Sequence, residues 1–357
     1  MPHKRRSRYP GKHPRRFEQR YKELEPEKFP EILGHVRAQG RTPAGTHVPV
    51  LVAEVLEQLR PAAGEIVVDC TVGYGGHAAE FLRRIGPTGR LLGFDLDAEE
   101  LRKTAARLSS IVPGADVRMR HGNFAGIDRA LAAEEFAAAD VLFADLGVSS
   151  MQIDDPQRGF SYKTDGPLDM RMDARLRRTA ADLVQTMSEA DMAAAFIDLA
   201  DEPDADAIAR AIVRERTRRP IGRTLELASI VLAAKGLSPR SWRKQTGGEG
   251  LHPAALVFQT LRILVNDEHS ALRQLLRVAP ACLAPGGRIG IISFQSGEDR
   301  LIKHAFREGC EAGLYTEVSD EVIRPDARER AANPRSAAAK FRWAVRAAKN
   351  VGAGETR

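Results

Sequence analysis

The feature that most constrains the fold is a regular alternation of short apolar runs and helical segments between residues 65 and 147. Four runs rich in β-branched and other apolar residues end in polar ones, namely EIVVDC (65–70), RLLGFD (90–95), DVRMRHG (116–122) and DVLFADLG (140–147). The segments between them, such as HAAEFLRRI and AEELRKTAARL, have the composition of helices. Strands that alternate with helices in this way predict a mainly parallel sheet with helices on both faces.

The alternation stops near residue 155 and resumes near residue 251. The sequence between is helical in character, and two capping-box patterns, Thr179 to Asp182 and Ser188 to Asp191, mark helix starts. We therefore expect an inserted all-helical domain. After the linker TGGEG the sequence predicts a long helix over about 254–279, a fifth strand over 288–294, a helix over 299–311 and a final strand over 340–346.

These patterns divide the chain into five parts. They are a basic arm (1–40), the first part of the α/β domain (41–154), the helical insert (155–250), the second part of the α/β domain (251–347) and a tail (348–357). The first 22 residues hold nine Lys or Arg against one acid, within a chain of net charge +6 and pI near 9.3. Such an arm suits polyanion binding, and a disordered solubility tail is the alternative.

Composition excludes several classes of protein. The arm lacks the apolar region of a secretory signal, and no stretch approaches the ~18 consecutive apolar residues of a membrane-spanning helix. Cys70, Cys282 and Cys310 lie far apart without CxxC spacing. We therefore expect buried thiols, with neither disulfides nor a metal site. The sequence predicts a cytoplasmic protein that does not associate with membranes.

The loop after the first strand, VDCTVGYGGHAAEF, carries Gly73, Gly75 and Gly76. It fits both a dinucleotide fingerprint, GxGxxA, and the looser loop with which methyltransferases hold S-adenosylmethionine. Either would bring the backbone close to a ligand at a helix N-terminus, and a purely structural turn is the alternative. Asp69, at the end of the first strand, suits a cationic ammonium or sulfonium better than a pyrophosphate. Asp95, at the end of the second strand, suits ribose hydroxyls in either case.

Longer motifs resemble one family. HVPVLVAEVL, VDCTVGYGGH, LLGFDLD, HGNF, DLGVSSMQIDDPQRGFSYKTDGPLDMRMD, HPAALVFQTLRI, LAPGGRIGIISFQSGEDR and NPRS occur in this order over residues 46–346. They look like the cytosine-N4 methyltransferases of small-subunit ribosomal RNA, the RsmH (MraW) family, and the run over 145–173 is the most specific. The resemblance implies a Rossmann-like class I methyltransferase fold interrupted by a helical substrate-recognition domain. It also implies S-adenosylmethionine as methyl donor and a cytidine of 16S ribosomal RNA, free or in the small subunit, as acceptor, and it leaves a homodimer open.

The resemblance assigns a set of residues to the cofactor. Its methionine and ribose would lie along Gly75, Gly76 and His77, and Asp95 would hold the ribose. Phe124 would pack on the adenine, while Asp145 and Gln152 would border the methionine end. Asp69 and Gly73 complete this predicted site. Without the resemblance, His77 reads as a helix-start residue, Phe124 as core and Gln152 as a solvated loop residue.

The acceptor chemistry needs a hydrogen-bond acceptor and a stacking platform. A cytosine amine is a poor nucleophile, so transfer depends on aligning it with the methyl–sulfonium bond beside a group that accepts its N–H. The base must also be splayed out and stacked. Asp145 is the predicted acceptor, with Asp169 as a second catalytic candidate. The predicted substrate contacts are Phe160, Tyr162, Arg171, His252, Arg262, Phe294, Gln295 and Arg300.

Two observations limit the acceptor assignment. The chain has DLGV where many amino-methyltransferases carry an Asp/Asn-Pro-Pro-aromatic motif, so the role of Asp145 depends on the resemblance. A salt-bridged loop is the alternative for Asp169 and Arg171. The family's FHSLED, HPATRTFQ and NPRSRSAKLR are also altered here, with Gln295 at a His, Gly297 at a Leu, Leu256 and Ala337 at Arg, and Val257 at a Thr position.

These departures leave a second hypothesis open. Lost cations weaken RNA binding and flatten its salt dependence. The alternative is therefore an RNA-binding or ribosome-assembly factor of the same fold with an altered acceptor or lost turnover. An NAD-dependent dehydrogenase is disfavoured by Asp69 and by the lack of a second mononucleotide-binding half in the sequence.

Overall fold

The computed structural model describes residues 49–246 and 251–348. The predicted basic arm, most of the linker and most of the tail lie outside these residues. Seven described strands form one sheet in the order β3-β2-β1-β4-β5-β7-β6. They are β1 Ile66–Asp69, β2 Arg90–Asp95, β3 Asp116–His121, β4 Ala139–Asp145, β5 Leu283–Ser293, β6 Tyr315–Val318 and β7 Lys340–Arg346.

The first five strands are parallel, and β7 runs antiparallel to both β5 and β6. Because the chain order reverses on either side of β1, the carboxyl ends of β1 and β4 border a crevice. This topology confirms the predicted Rossmann-like α/β fold with a mainly parallel sheet.

Helices cover both faces of the sheet. They are α1 Val52–Leu59, α2 Gly76–Ile85, α3 Ala98–Ser109, α4 Ile127–Ala133, α12 Glu268–Cys282 and α13 Ser296–Glu311. Neighbouring strand residues point to opposite faces, so Val67 packs in one apolar core with α1, α2 and α3, while Val68 packs in another with α4, α12 and α13. Apolar runs buried on both faces account for the low polarity of the central strands.

A second layer is made of helices. It contains α6 Ala180–Thr186, α7 Glu189–Ala200, α8 Ala205–Arg216, α9 Thr224–Ala234, α10 Pro239–Thr246 and α11 Ala255–Asn266, after the short α5 Ser150–Asp154. Residues such as Phe196, Ile212 and Val231 form their own apolar core, which also takes in Val257 and Leu261 of α11. The helix starts at Thr179 and Ser188 are confirmed, since each hydroxyl accepts the backbone N–H three residues on. The domain boundary at residue 250 stays a prediction.

The structure corrects three details of the prediction. The long helix over 254–279 is two helices, because Asp267 adopts left-handed backbone angles (φ 52°, ψ 41°) between α11 and α12. Aspartate tolerates this conformation better than most residues. The strand β6 and the helix α14 Ala327–Ala332 were not predicted. Cys70 and Cys282 are buried as expected, whereas Cys310 is partly exposed.

Within the ranges 49–246 and 251–348, no helix combines the length and apolar character that crossing a bilayer requires.

Candidate active site

A cavity opens at the carboxyl ends of the parallel strands, where ligands bind in open α/β sheets. Its walls come from the loops after β1 to β4, the junction of α11 with α12, and the start of α13. Asp95 and Asp145, the last residues of β2 and β4, both face it.

The glycine loop is fixed by hydrogen bonds to its neighbours. The two carboxylate oxygens of Asp95 accept the backbone N–H groups of Gly73 and Asp97, each at 2.8 Å. Gly75 has a positive φ of 74°, and a Cβ there would lie 2.9 Å from Cγ2 of Thr104. The loop can therefore approach α3 this closely only with glycine at position 75.

Asp145 and His77 face each other at the centre of the cavity wall. His77 Nε2 lies 2.9 Å from the carbonyl oxygen of Val50. A carbonyl can only accept, so Nε2 carries the proton. His77 Nδ1 then points towards Asp145 Oδ2 at 3.8 Å. Within the described chain Asp145 Oδ1 has no hydrogen-bond partner, which leaves a carboxylate oxygen for a ligand.

The charges that line the cavity are acidic. Among the residues that the structure describes, no lysine or arginine lines it, whereas six carboxylates do: Asp95, Asp97, Glu100, Asp145, Glu268 and Glu298. Burial raises the pKa of Asp145 to about 8, and the charges of Asp69 and Glu298 add to this shift. Burial likewise raises the pKa of Asp69 and of Glu298 to about 7.

This charge pattern separates the two readings of the glycine loop. A pyrophosphate would be repelled by these carboxylates, whereas a ligand with sulfonium and ammonium groups would be attracted. The cavity therefore suits a cationic ligand.

The side of the cavity opposite the glycine loop is built by α11, α12 and α13. Glu298 Oε2 accepts the backbone N–H groups of Phe294 (3.1 Å) and Gln295 (3.3 Å), so this buried carboxyl is fixed at the start of α13. The carboxylate of Glu268 accepts from Nε and Nη2 of Arg262, each at 2.8 Å. The charge of Arg262 lowers the pKa of Glu298, but burial raises that pKa by more.

The structure brings most of the predicted cofactor residues together. Those that line the cavity are Gly73, Gly76, His77, Asp95, Phe124, Asp145 and Gln152. Asp69 and Gly75 do not line it. Asp69 is buried behind the loop and accepts the N–H of Thr71, and Gly75 packs on α3. The inference that Asp69 contacts the ligand directly is thus corrected, because its carboxylate is used to hold the turn.

Two of the predicted acceptor residues, Asp145 and Phe294, line the cavity, and the others do not. Asp169, the second catalytic candidate, holds Arg171 through both of its oxygens, at 2.8 and 2.7 Å. Arg171 also donates to the carbonyl of Leu176. The alternative of a salt-bridged loop therefore describes these two residues. The predicted catalytic role of Asp169 is corrected, because both of its carboxylate oxygens bind Arg171 and it does not line the cavity.

The remaining predicted substrate residues are engaged within the protein. Tyr162 stacks on His252 with ring centroids 4.5 Å apart, Phe160 is buried in the helical core, and Arg300 pairs with Asp201. None of the four lines the cavity, and neither does Arg262. These side chains are therefore occupied by contacts within the helical layer or, for Arg300, by an ion pair between α13 and the residue after α7.

The residues that depart from the family pattern do not line the cavity themselves, although Gln295 and Gly297 are next to lining residues in the chain. Gln295 is buried without lining the cavity, and Val257 sits in the helical core. A Cβ at Gly297 would lie 3.2 Å from the ring of His269, so the imidazole fills the space of a longer side chain. Leu256 does not line the cavity, and Ala337 is exposed. These changes therefore give no support to a loss of turnover.

Several residues that line the cavity were not predicted from the sequence. They are Thr71, Tyr74, Asn123, Met172, Asn266, Glu268 and Glu298. Thr71 and Asn123 lie two residues after the ends of β1 and β3, and this position could have identified them as lining residues. Asn266 and Glu268 flank the break at Asp267, which periodicity did not reveal.

Comparison with known proteins agrees with this geometry. A model of the MraW methylase family matches residues 44–347. The chain belongs to the MraW methylase family. A curated relative from Lachnoclostridium phytofermentans, named "Ribosomal RNA small subunit methyltransferase H 1", is 42% identical over 97% of this chain and 93% of its own length. "Ribosomal RNA small subunit methyltransferase H 2" of Alkaliphilus metalliredigens is 41% identical over 96% and 97%.

A third relative, "Ribosomal RNA small subunit methyltransferase H" of Rubrobacter xylanophilus, is 42% identical over 85% of this chain and 97% of its own length. As a MraW methylase, the protein is an S-adenosylmethionine-dependent methyltransferase with a class I fold. Its cavity fits this cofactor, because six carboxylates line it and one oxygen of Asp145 has no hydrogen-bond partner within the described residues.

Proposed function

We propose that the protein methylates the N4 amine of a cytidine in small-subunit ribosomal RNA. The names of its relatives support the RNA substrate. The observation that carries the proposal is the unpartnered oxygen of Asp145 in an acid-lined cavity at the end of β4. There a carboxylate can accept an N–H from an amine beside a cationic donor.

In this proposal the cofactor is held by the residues of the glycine loop and the strand ends. Asp95 accepts from the ribose hydroxyls, the ring of Phe124 packs on the adenine, and Gln152 borders the methionine end. The carboxylates of Asp145 and Glu298 lie on the side of the positive groups. When bound, S-adenosylmethionine supplies a methyl group on a sulfonium.

Asp145 then acts on the acceptor. As the N4–methyl bond forms and the carbon–sulfur bond breaks, the amine nitrogen carries one proton too many. Asp145 accepts the N–H and takes that proton. Phe294 provides an aromatic face on which the splayed base can stack.

The proposal also covers the domain that recognises the RNA and the form of the RNA substrate. The helical domain over 155–250 would recognise the RNA, and the substrate would be the RNA alone or in the small subunit. A homodimer and a cytoplasmic location stay predictions.

The experiment supplies labelled S-adenosylmethionine to the purified protein with immature small subunits, mature small subunits, naked ribosomal RNA or tRNA. Products are then mapped by nucleoside mass spectrometry. We expect N4-methylcytidine in small-subunit RNA, formed far more slowly with Asp145→Asn. If no substrate yields this nucleoside, the proposal fails.

A further inference from the structure

The segment that follows the cavity wall after Met172 is rich in arginine. We call residues 173–178, DARLRR, the arginine loop. Met172 itself lines the cavity. His121 Nε2 lies 3.9 Å from Oδ1 of Asp173, and Gly122, the next residue after His121, also lines the cavity. The arginine loop therefore begins at the edge of the cavity, and Asp173 lies close to the turn that follows β3.

Hydrogen bonds hold the arginine loop in one shape. Arg171 is clamped by Asp169 and donates to the carbonyl oxygen of Leu176 at 2.9 Å. Asp173 Oδ1 accepts the backbone N–H of Arg175 at 2.8 Å, and its carboxylate also binds the Arg175 guanidinium. A loop fixed before binding loses less conformational entropy when a ligand arrives.

Two arginines of the loop remain available. Arg177 and Arg178 are exposed, and in the described ranges no carboxylate oxygen lies within 4.0 Å of either guanidinium. Two acids in or shortly after the loop already have partners, since Asp173 binds Arg175 and Asp182 accepts from both the N–H and the hydroxyl of Thr179.

The contrast with the cavity defines the ligand. An acid-lined cavity admits a neutral base or a cationic donor but repels a phosphate. When a base of an RNA strand enters such a cavity, its phosphates must stay at the mouth. There, exposed guanidinium groups on a fixed loop are suited to phosphate oxygens.

We propose that the arginine loop binds the phosphate backbone of the RNA strand next to the base that enters the cavity. This proposal rests on the proposed RNA substrate. Arg177 and Arg178 make the contacts, and Arg171 acts as a positioning residue that holds the loop.

The test compares two adjacent arginine pairs in the full-length protein. One variant is Arg177→Gln with Arg178→Gln. The matched control is Arg83→Gln with Arg84→Gln, an exposed pair at the far end of α2, whose first residue lines the cavity. Affinity for a labelled single-stranded fragment of small-subunit ribosomal RNA is measured by fluorescence anisotropy over a range of salt concentrations, without methyl donor.

Log affinity falls as log salt rises, and we expect this dependence to be shallower in the loop variant. The magnitude of the slope should decrease by about 1.4, or ~0.7 for each lost contact with a single strand. The control should keep the wild-type slope, and calorimetry should find unchanged binding of S-adenosylmethionine in both. At saturating RNA, kcat should be unchanged while KM for RNA rises.

An unchanged slope in a folded loop variant would overturn the proposal. Weakened binding to intact small subunits with unchanged RNA binding would overturn it too, and would point to a protein partner. Because the binding assay needs no methyl transfer, failure of the proposed activity is recognised separately, by the absence of a methylated nucleoside from the wild-type protein.

Discussion

The two sides of the cavity are built on different principles. On the glycine-loop side, side chains at strand ends bind the backbone of the next turn and still face the cavity, as Asp95 does. On the side of α11, α12 and the loop after β4, charged side chains mostly bind one another, as Arg171 does with Asp169. The contrast teaches that charge alone does not predict which residues reach the ligand, because charged side chains that pair within the loop after β4 do not line the cavity.

The largest expected effect should distinguish the two catalytic candidates, Asp145 and Asp169. Asp145→Asn should lower kcat by about 10²- to 10⁴-fold, because an amide cannot take the amine proton. Single-turnover methyl transfer is the measurement.

Asp169→Asn is the matched variant. It should leave kcat at saturating RNA nearly unchanged and raise KM for RNA, because Asp169 holds Arg171 rather than lining the cavity. A loss of kcat as large as that of Asp145→Asn would return Asp169 to the reaction centre.

The second prediction concerns packing under the glycine loop. Gly75→Ala should cost about 2–4 kcal/mol of unfolding free energy, because the new methyl meets Thr104 at 2.9 Å and φ is positive. Chemical denaturation measures it. The control is Gly236→Ala, where φ is also positive but no atom lies within 4 Å, and the cost should be about 1 kcal/mol. Equal costs would show that the close approach to α3 does not matter.

The third prediction is a pH dependence with two opposite signs. Burial raises the pKa of Asp145 to about 8 and the pKa values of Asp69 and Glu298 to about 7. Between pH about 4 and 8 the folded protein holds protons that the unfolded chain has released. Stability without ligand should therefore fall as pH rises through this window, by about 1.4 kcal/mol per group and pH unit at most.

Binding of S-adenosylmethionine should strengthen over the same interval, because ionised carboxylates attract its positive groups. Thermal unfolding and calorimetry at pH 6 to 9 test the two trends. Asp145→Asn should flatten both. Parallel trends in stability and affinity would contradict the assignment of buried acids to a cationic ligand.

The smallest effect separates two aromatic residues that were both predicted as stacking platforms. Tyr162→Leu should cost about 1 kcal/mol of stability, because it loses the stack on His252, and should leave RNA binding unchanged. Phe294→Leu should weaken RNA binding by about 1–3 kcal/mol, as expected for one lost base stack. Anisotropy and thermal unfolding on both variants decide the matter, and a weaker RNA complex with Tyr162→Leu would restore its predicted role.

Much of the fold could be predicted because it depends on local periodicity. The runs over 90–95 and 340–346 are strands with the predicted bounds. The break at Asp267 could not be predicted, because α11 and α12 are both apolar and only the left-handed angles of one residue separate them. The strand β6 is as short as β1 but has the sequence YTEV, with two exposed residues at its centre, so it lacks the apolar run that marked β1.

The candidate site divides in the same way. Asp95, Asp145 and Phe294 could be placed because each lies at or just after a strand end. Tyr162, His252 and Arg300 could not, because their partners come from distant parts of the chain. A single sequence shows that a side chain is able to stack or to form an ion pair, but it does not show which residue of the folded protein it contacts.

The six carboxylates of the cavity also bear on how the enzyme completes a cycle. A sulfonium loses its positive charge when its methyl group leaves, and a neutral thioether remains. Charges that attract the reagent therefore hold the product less strongly, by a Coulombic margin that grows as the cavity excludes water. The same side chains that load the enzyme thus favour exchange of spent cofactor for fresh, so product inhibition should be weakest at the pH where these acids are most fully ionised.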